Sequence, residues 1–598
     1  MNGLRPGSDK IARVLGGLWR QMSPQRRRQL FAVLAMTVLG AVAEVVTLGA
    51  LLPFLALIAN PDALSHYPGV ARGLAAVGLA RPGNNLLALT IFFSAAAVIA
   101  GAIRVVLARV TNQTVFSLGH ELSVRLFERI LYEPYSYHLA RNSSSVLAAL
   151  YQVQTITAGV LMPILQSASA AIIGLFITVA LFIFSPMIAL VVFAGFGAIY
   201  CAVSVFIRAR LSANARMIAG VQSEGIRSVL EGLGGIRDVL IDGTQQVFLD
   251  RFRQLNARLQ QAQAANYLAA VTPRFAIEAA GMVLIAGLAC VLLARTTDPA
   301  YVLPILGTVV LGAQRLLPLM QLIYGNWTLV IGNLAVTDVV LAALEAPFPE
   351  EWRRIPAQPL PFRQAIVFRD VSFRYGTDQQ PVVTGLDFTI AKGAKVGLMG
   401  RTGSGKSTAM DLLMGLLEPS SGSIEIDGCR LDATTRRAWQ RQIAHVPQHI
   451  FLADASIAEN IAFGVEPAQI DRERVRQAAQ RAAIAGFIES LPQGYATLAG
   501  ERGVRLSGGQ RQRIGIARAL YKQAMVLVFD EATSALDTET EAAVLDAVRE
   551  LPADLTVLIV AHRLTTVEYC DHIVTLDGAQ PPAEDAEDDR MPPRPEIA

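Results

Sequence analysis

Before about residue 335 the chain carries apolar stretches long enough to cross a hydrocarbon layer of about 30 Å, and nothing else in the sequence constrains its fold as strongly. Inside lipid no water satisfies a peptide group, so such stretches must close their hydrogen bonds within helices. Six spans are expected, at about 31–58, 86–110, 157–184, 187–207, 269–294 and 302–331, with Ser185-Pro186 in a tight hairpin between the third and fourth. Composition agrees, since 53% of the 598 residues are hydrophobic, only 17% are charged, and the mean hydropathy is +0.41, too apolar for an ordinary soluble multidomain protein.

Charge gives the spans a direction, because Lys and Arg near short loops stay cytoplasmic. Arg20, Arg26, Arg27 and Arg28 precede the first span. The long segments joining spans two to three and four to five hold Arg125, Arg129, Arg208, Arg210, Arg216 and Arg237. Both termini are therefore expected inside, with no cleavable signal peptide, the first span acting as the targeting signal. Cys201, Cys290, Cys429 and Cys570 are scattered without metal-ligand spacing, so neither disulfide nor metal–cysteine site is expected. The net charge of +3 reflects this positive-inside bias, and no basic patch with interleaved aromatics points to nucleic acid.

The last third is different in kind. Gly400-Arg401-Thr402-Gly403-Ser404-Gly405-Lys406-Ser407, followed by Thr408, reads G-x-x-x-x-G-K-S between an apolar strand (Lys395 to Met399) and a helix-like run. Glycines there turn backbone N–H groups toward phosphates, Lys406 reaches the β/γ-phosphates and Ser407 ligates Mg²⁺. Met525 to Asp530 reads as a buried strand ending in a carboxylate, the place for a metal-coordinating Asp530. Short strands alternating with helices imply an α/β domain over 363–578. A Pro-rich linker (346–362) joins it to the membrane part (1–345), and an acidic, Pro-rich tail (579–598) is expected to be disordered.

This domain resembles the ATP-binding cassettes of ABC transporters, with the motifs in the family's order. The resemblance implies an adenine-stacking role for Tyr375 and a glutamine loop at Val446-Pro447-Gln448, Gln448 touching metal and water. It implies that Glu531 polarises the attacking water, that Asp537 in Ser534-Ala535-Leu536-Asp537 communicates between nucleotide sites, and that His562 holds the γ-phosphate. Leu506-Ser507-Gly508-Gly509-Gln510 looks like the signature that covers ATP bound to another cassette, so a dimer with two composite sites is implied, a homodimer being favoured over a heterodimer. Six spans fused ahead of one cassette look like an exporter half-transporter. Gly500-Glu501-Arg502-Gly503 resembles the exporter loop that meets cytoplasmic helical extensions, expected near 111–150 and 208–262. Tyr132-Glu133-Pro134-Tyr135 and Gly234-Gly235-Ile236-Arg237 are candidate coupling elements.

Ionisable residues within spans are the best guide to cargo. Arg104, Arg274 and Arg315 lie within or close to apolar segments, as do Glu44 and Glu278, and the arginines need anionic partners: Arg274 can pair with Glu278 four residues on, some can snorkel to the interface, or they can bind a phosphate or pyrophosphate head group. The contexts Thr272-Pro273-Arg274, Gln314-Arg315-Leu316 and Glu44 ahead of Leu52-Pro53-Phe54 look similar to bacterial flippases for lipid-linked oligosaccharides. That resemblance also suggests an interfacial helix at 62–80. The expectation is an inner-membrane, ATP- and Mg²⁺-dependent transporter of a lipid-linked oligosaccharide or polysaccharide precursor. A lipid A or multidrug exporter is the alternative, and an ATP-gated channel or regulator is the alternative from another class.

Overall fold

Long apolar runs become long helices. The computed structural model describes residues 6–59, 85–140, 143–184, 213–214, 217–218, 220–295, 299–346, 348, 353, 358–376, 379–500, 503–530, 553–560 and 570–576. Two units result. Met1–Tyr132 with Arg141–Phe348 form a helical unit, and Glu133–Ala140 with Pro349–Ala598 form an α/β unit.

In the helical unit, α1 (Pro6–Gln21) is amphipathic and presses Val14, Leu18 and Met22 inward. A break at Ser23 separates it from α2 (Pro24–Ala59), whose first residue is a proline, tolerated there because a first-turn N–H has no helical partner. α3 (Asn85–Tyr132) runs far past the expected second span as one helix. After α4 (Tyr135–Ala140), which belongs to the α/β unit, α5 (Ser143–Ile156) passes through a π turn (Thr157–Leu161) into α6 (Met162–Phe184). α7 (Ile236–Ile241), α8 (Gln245–Arg295) and α9 (Pro299–Glu345) complete it. Among the described residues three segments are long and apolar enough to cross a membrane, Pro24–Thr47, Leu87–Tyr132 and Val146–Ile183, where the first three spans were expected. The fifth and sixth fall within α8 and α9, whereas the fourth span and the interfacial helix at 62–80 lie outside the described residues.

Polar groups inside this unit are matched locally. Pro273 removes the N–H that would bond the carbonyl four residues back, at Ala269, and the Tyr324 hydroxyl of α9 donates to that carbonyl at 3.4 Å. Thr37 and Ser169 hydroxyls meet at 3.1 Å between α2 and α6. Close approach at the π turn requires glycine, since a Cβ at Gly119 would sit 2.4 Å from Thr157 Oγ1. At one end, Arg129 of α3 donates to the Leu344 carbonyl and stacks on Phe348 (5.2 Å), while Arg125 caps the Gln21 carbonyl and pairs with Glu121 at 2.7 Å. The last carbonyls of α1 and α9, orphaned by helix geometry, are thereby satisfied by arginines.

The α/β unit holds two sheets. The antiparallel one has the order β2-β1-β4-β5, from β1 (Ala365–Phe373), β2 (Val383–Ala391), β4 (Ser421–Ile426) and β5 (Cys429–Arg430). The parallel one has the order β6-β7-β8-β3-β9, from β3 (Lys395–Gly400), β6 (Ile443–Val446), β7 (Val526–Asp530), β8 (Thr556–Val560) and β9 (His572–Leu576). The unbroken apolar runs of β7 and β8 are what strands covered on both faces require. α10 (Lys406–Leu413) packs by β3, and the indole of the fully buried Trp439 donates to the Leu413 carbonyl at 2.7 Å. Replacing Trp439 by Phe leaves that carbonyl buried without its donor, which costs about 1–3 kcal/mol. Thermal unfolding of the full chain in nanodiscs should show the cassette transition lowered by roughly 2–4 °C per kcal/mol.

Candidate functional site

Parallel strands put their carboxyl ends side by side, and ligands of such sheets bind there, at a switch in strand order. β3 lies between β8 and β9 and ends at Gly400, where the phosphate loop begins. β7 ends at Asp530, paired with Val560 of β8, and β6 ends opposite it, Val446 against Phe529, two residues before the exposed Gln448. One edge of the sheet therefore presents the loop 400–408, Asp530 and Gln448. Glu531 and His562 follow β7 and β8 by one and two residues in the chain. They and Asp537 lie outside the described residues.

The loop has the shape of an anion cradle. Gly403 and Gly405 have φ of 85° and 89°, left-handed values that suit glycine, and Gly405 caps α10 so that Lys406 opens the helix. A Cβ at Gly405 would lie 2.6 Å from Val383 Cγ2 and 3.0 Å from the Val382 carbonyl. Lys406 is buried, its ammonium donating to the carbonyls of Gly400 (2.7 Å) and Arg401 (3.1 Å). The Ser404 hydroxyl is buried without a hydrogen-bond partner among the described residues. A buried cation, an orphan donor and a helix N-terminus in one loop fit a bound polyphosphate, and the exposed Ser407 with Asp530 and Gln448 offers oxygen donors of the kind Mg²⁺ takes.

Tyr375, two residues past β1, is 47% exposed, stands edge-on to Phe373 at 5.0 Å, and its hydroxyl meets Thr408 Oγ1 at 3.2 Å. This places the proposed adenine platform beside the phosphate loop. Ser507 and Gln510 form a capping box, Ser507 Oγ accepting from the Gln510 N–H at 3.2 Å and Gln510 Oε1 from the Ser507 N–H at 2.9 Å. Gly508 and Gly509 open the first turn of α11 (Gly508–Tyr521).

Asp411 had not been singled out, and Tyr135 had been singled out only as part of a candidate coupling element. Asp411, four residues after Ser407 on the same helix face, has its carboxyl pushed up to about 6 by burial and, secondarily, by the Asp530 carboxylate. Its signal was an acidic residue at i+4 from the loop serine, which means nothing until β7 is placed beside α10. Tyr135 of α4 belongs to the α/β unit, and burial, then Asp411 and Tyr375, raise its phenol pKa. Tyr135 thus lies within electrostatic reach of Asp411 and Tyr375 inside the α/β unit.

In the helical unit Arg104 (α3), Arg315 (α9) and Glu44 (α2) come together. Arg315 donates to Glu44, which is 7% exposed, and Arg104 lies 3.9 Å from it, itself 54% exposed. Arg274 donates to Glu278 at 2.8 Å one turn on, and Gln321 adds a contact at 3.4 Å. Arg104 also borders a cavity of about 240 Å³ whose wall mixes Leu107, Ile173 and Leu319 with Asn112, Gln166 and Ser169. Gly405→Ala forces a left-handed alanine against Val383, a backbone cost of about 1–2 kcal/mol before the clash is relieved. ATP affinity, measured by equilibrium dialysis on the full chain, should fall tenfold or more.

Comparisons with known proteins bear on both units. Residues 383–534 match the ABC transporter family, and residues 30–297 match the ABC transporter transmembrane region. An "ATP-dependent lipid A-core flippase" of Cupriavidus metallidurans is 30% identical over 583 residues, 95% of this chain and 92% of that protein. A protein of the same name from Alkalilimnicola ehrlichii is 33% identical over 464 residues, 76% and 77% of the two chains. Another, from Idiomarina loihiensis, is 44% identical over 215 residues, which is 36% of this chain and 37% of that one. Among solved structures, a bacterial Atm1-family ABC exporter with ATP bound superposes with a TM-score of 0.74 at 25% identity, covering 92% of this chain and 93% of that one. A transmembrane region fused ahead of a cassette, matched almost end to end, makes this chain a member of the ABC transporter family with the exporter fold, an ATP-hydrolysing membrane transporter.

Proposed function

We propose that two copies of this chain use ATP to flip a phosphate-bearing glycolipid across the bacterial inner membrane, a lipid A-core type of cargo being the leading reading. The observation that carries it is the near full-length similarity to proteins named for that activity. The helical unit supports it independently. Two guanidiniums share one carboxylate at Glu44, so the cluster carries one excess positive charge inside an apolar unit, and a phosphate offers the missing anion. The adjoining cavity pairs Arg104 with apolar and amide-bearing walls, suited to a head group and acyl chain together. Arg274 is matched one to one by Glu278, so that pair carries no excess charge.

A polyprenyl-pyrophosphate oligosaccharide has the same charge chemistry, and the sequence contexts of Arg274 and Arg315 favour it as the second reading. In either case Mg²⁺ would be held by Ser407, Asp530 and Gln448 and would neutralise charge on the nucleotide. Lys406 and the loop amides orient the phosphates, Glu531 takes the proton of the attacking water, and His562 and Asp537 complete the site, with Ser507 to Gln510 of the second copy closing over it. The apolar residues Leu233, Ile236, Leu240 and Ile241, exposed around α7, suit burial against that second copy. Greater affinity of ATP for the closed pair drives the cycle, and both termini face the cytosol.

The test is ATP hydrolysis in nanodiscs with a lipid A-core glycolipid, a polyprenyl-pyrophosphate oligosaccharide, or neither. Stimulation by the first alone supports the leading reading, and stimulation by the second alone replaces it. Glu531→Gln should lower kcat by about 10²-fold or more. Arg104→Gln should weaken the stimulating lipid about tenfold while leaving basal turnover in place, as loss of a charged hydrogen bond implies.

A further inference from the structure

Near its C-terminal end α11 is hydrogen-bonded to the segment that follows the glutamine loop. Near its C-terminus Arg518 donates to the Asn460 carbonyl at 2.9 Å and to Asn460 Oδ1 at 3.3 Å, and stacks on Phe463 at 4.6 Å. Asn460, fully buried, accepts from the Ala453 N–H at 2.9 Å and donates back to the Ala453 carbonyl at 3.0 Å. That end is a closed hydrogen-bond network.

The other end is not. Gln512 is 3% exposed, yet among the described residues neither its Oε1 nor its Nε2 has a hydrogen-bond partner. Burying an amide unpaired costs about 1–3 kcal/mol, so a side chain with both atoms orphaned calls for a reason. Its neighbourhood supplies one. Gly515, three residues on and on the same helix face, faces Ile450, whose Cδ1 would lie 2.4 Å from an added Cβ. Gly503, ahead of the signature, faces Leu452 and Arg511. Residues 450–452 therefore run past positions 503, 511 and 515. Gln512 lies on that stripe, and helix side chains lean toward the N-terminus, here toward Gly508 and Gly509.

We propose that Gln512 is a positioning residue whose carboxamide hydrogen-bonds the backbone of the glutamine loop, residues 448–451, when two cassettes close on ATP, so that Gln448 and the signature move as one piece. The inference rests on the ATP-hydrolysing dimer proposed above. The Arg518–Asn460–Ala453 network, about 9 Å along the helix from Gln512, is the fixed pivot. The unpaired amide raises the energy of the arrangement described here and not that of the closed one, so it favours closure. Gln512 touches no reacting atom.

Gln512→Met keeps the side chain's length and removes both orphan atoms. In the full chain in nanodiscs, without nucleotide, it should raise the Tm of the cassette by about 2–4 °C, since an apolar group replaces an unpaired one. In a Glu531→Gln background with Mg-ATP the sign should reverse, the Met variant melting below its Gln512 parent. In the Glu531 protein kcat should fall about tenfold with the KM for ATP within twofold. Gln512→Leu, a second apolar replacement, should behave alike. Stabilisation equal with and without ATP, with kcat unchanged, overturns the proposal, because that is what a merely structural amide would give. If hydrolysis by the parent protein does not depend on Glu531, the ATPase reading itself fails, and this inference falls with it.

Discussion

The parallel register of β6, β7, β8 and β3 is the constraint on which the chemistry depends. Pairing Asp530 with Val560 and Phe529 with Val446 aligns three strand ends within one sheet edge, and each end hands the chain to a residue for which a phosphate- or metal-directed role is proposed. No strong local preference positions Gln448 or Asp530. Their placement follows from buried apolar strands that have one workable register, because a slip by one residue would move Val528 and Leu558 from one packed face of the sheet to the other, into the places of Leu527 and Ile559. A similar dependence holds for Asp411, whose carboxyl is raised by burial in the fold and further by Asp530, which β7 brings next to α10.

The helical unit obeys a different rule, set by the absence of water. Several of its polar atoms find partners on neighbouring helices or in their own preceding turn, as Thr37 does with Ser169 and the Val33 carbonyl, and as Tyr324 does for the carbonyl left by Pro273. Carboxylates and guanidiniums follow suit. Glu44 is nearly covered while its two arginines remain partly open, so the charge that shows is positive. A chain selected only for helix packing would have no need of that excess.

Features whose meaning is local were legible from the sequence. The phosphate loop, the Met525 to Asp530 strand and the Arg274–Glu278 pair each depend on residues within a few positions. The spacing of Ser507 and Gln510 was legible too, but as a ligand-binding signature, and the capping box shows that Gln510 also holds the helix start. What could not be read was long-range. Arg315 and Glu44 are 271 residues apart, and hydropathy could not say that α3 would continue unbroken to Tyr132 or that Glu133–Ala140 would join the α/β unit. Gln512 was invisible for a different reason, since an orphaned amide is defined by what its surroundings lack.

The π turn at Thr157–Leu161 holds one residue more than an α turn, so the helix beyond it is out of phase by about 100° with the helix before it. α5 packs against α3 and α9, whereas α6 packs against α2 and α9. A single uniform helix would present one stripe to one set of neighbours along its whole length. With the phase break, one transmembrane rod serves two different sets of partners in succession, and its two halves can be altered in sequence as if they belonged to separate helices.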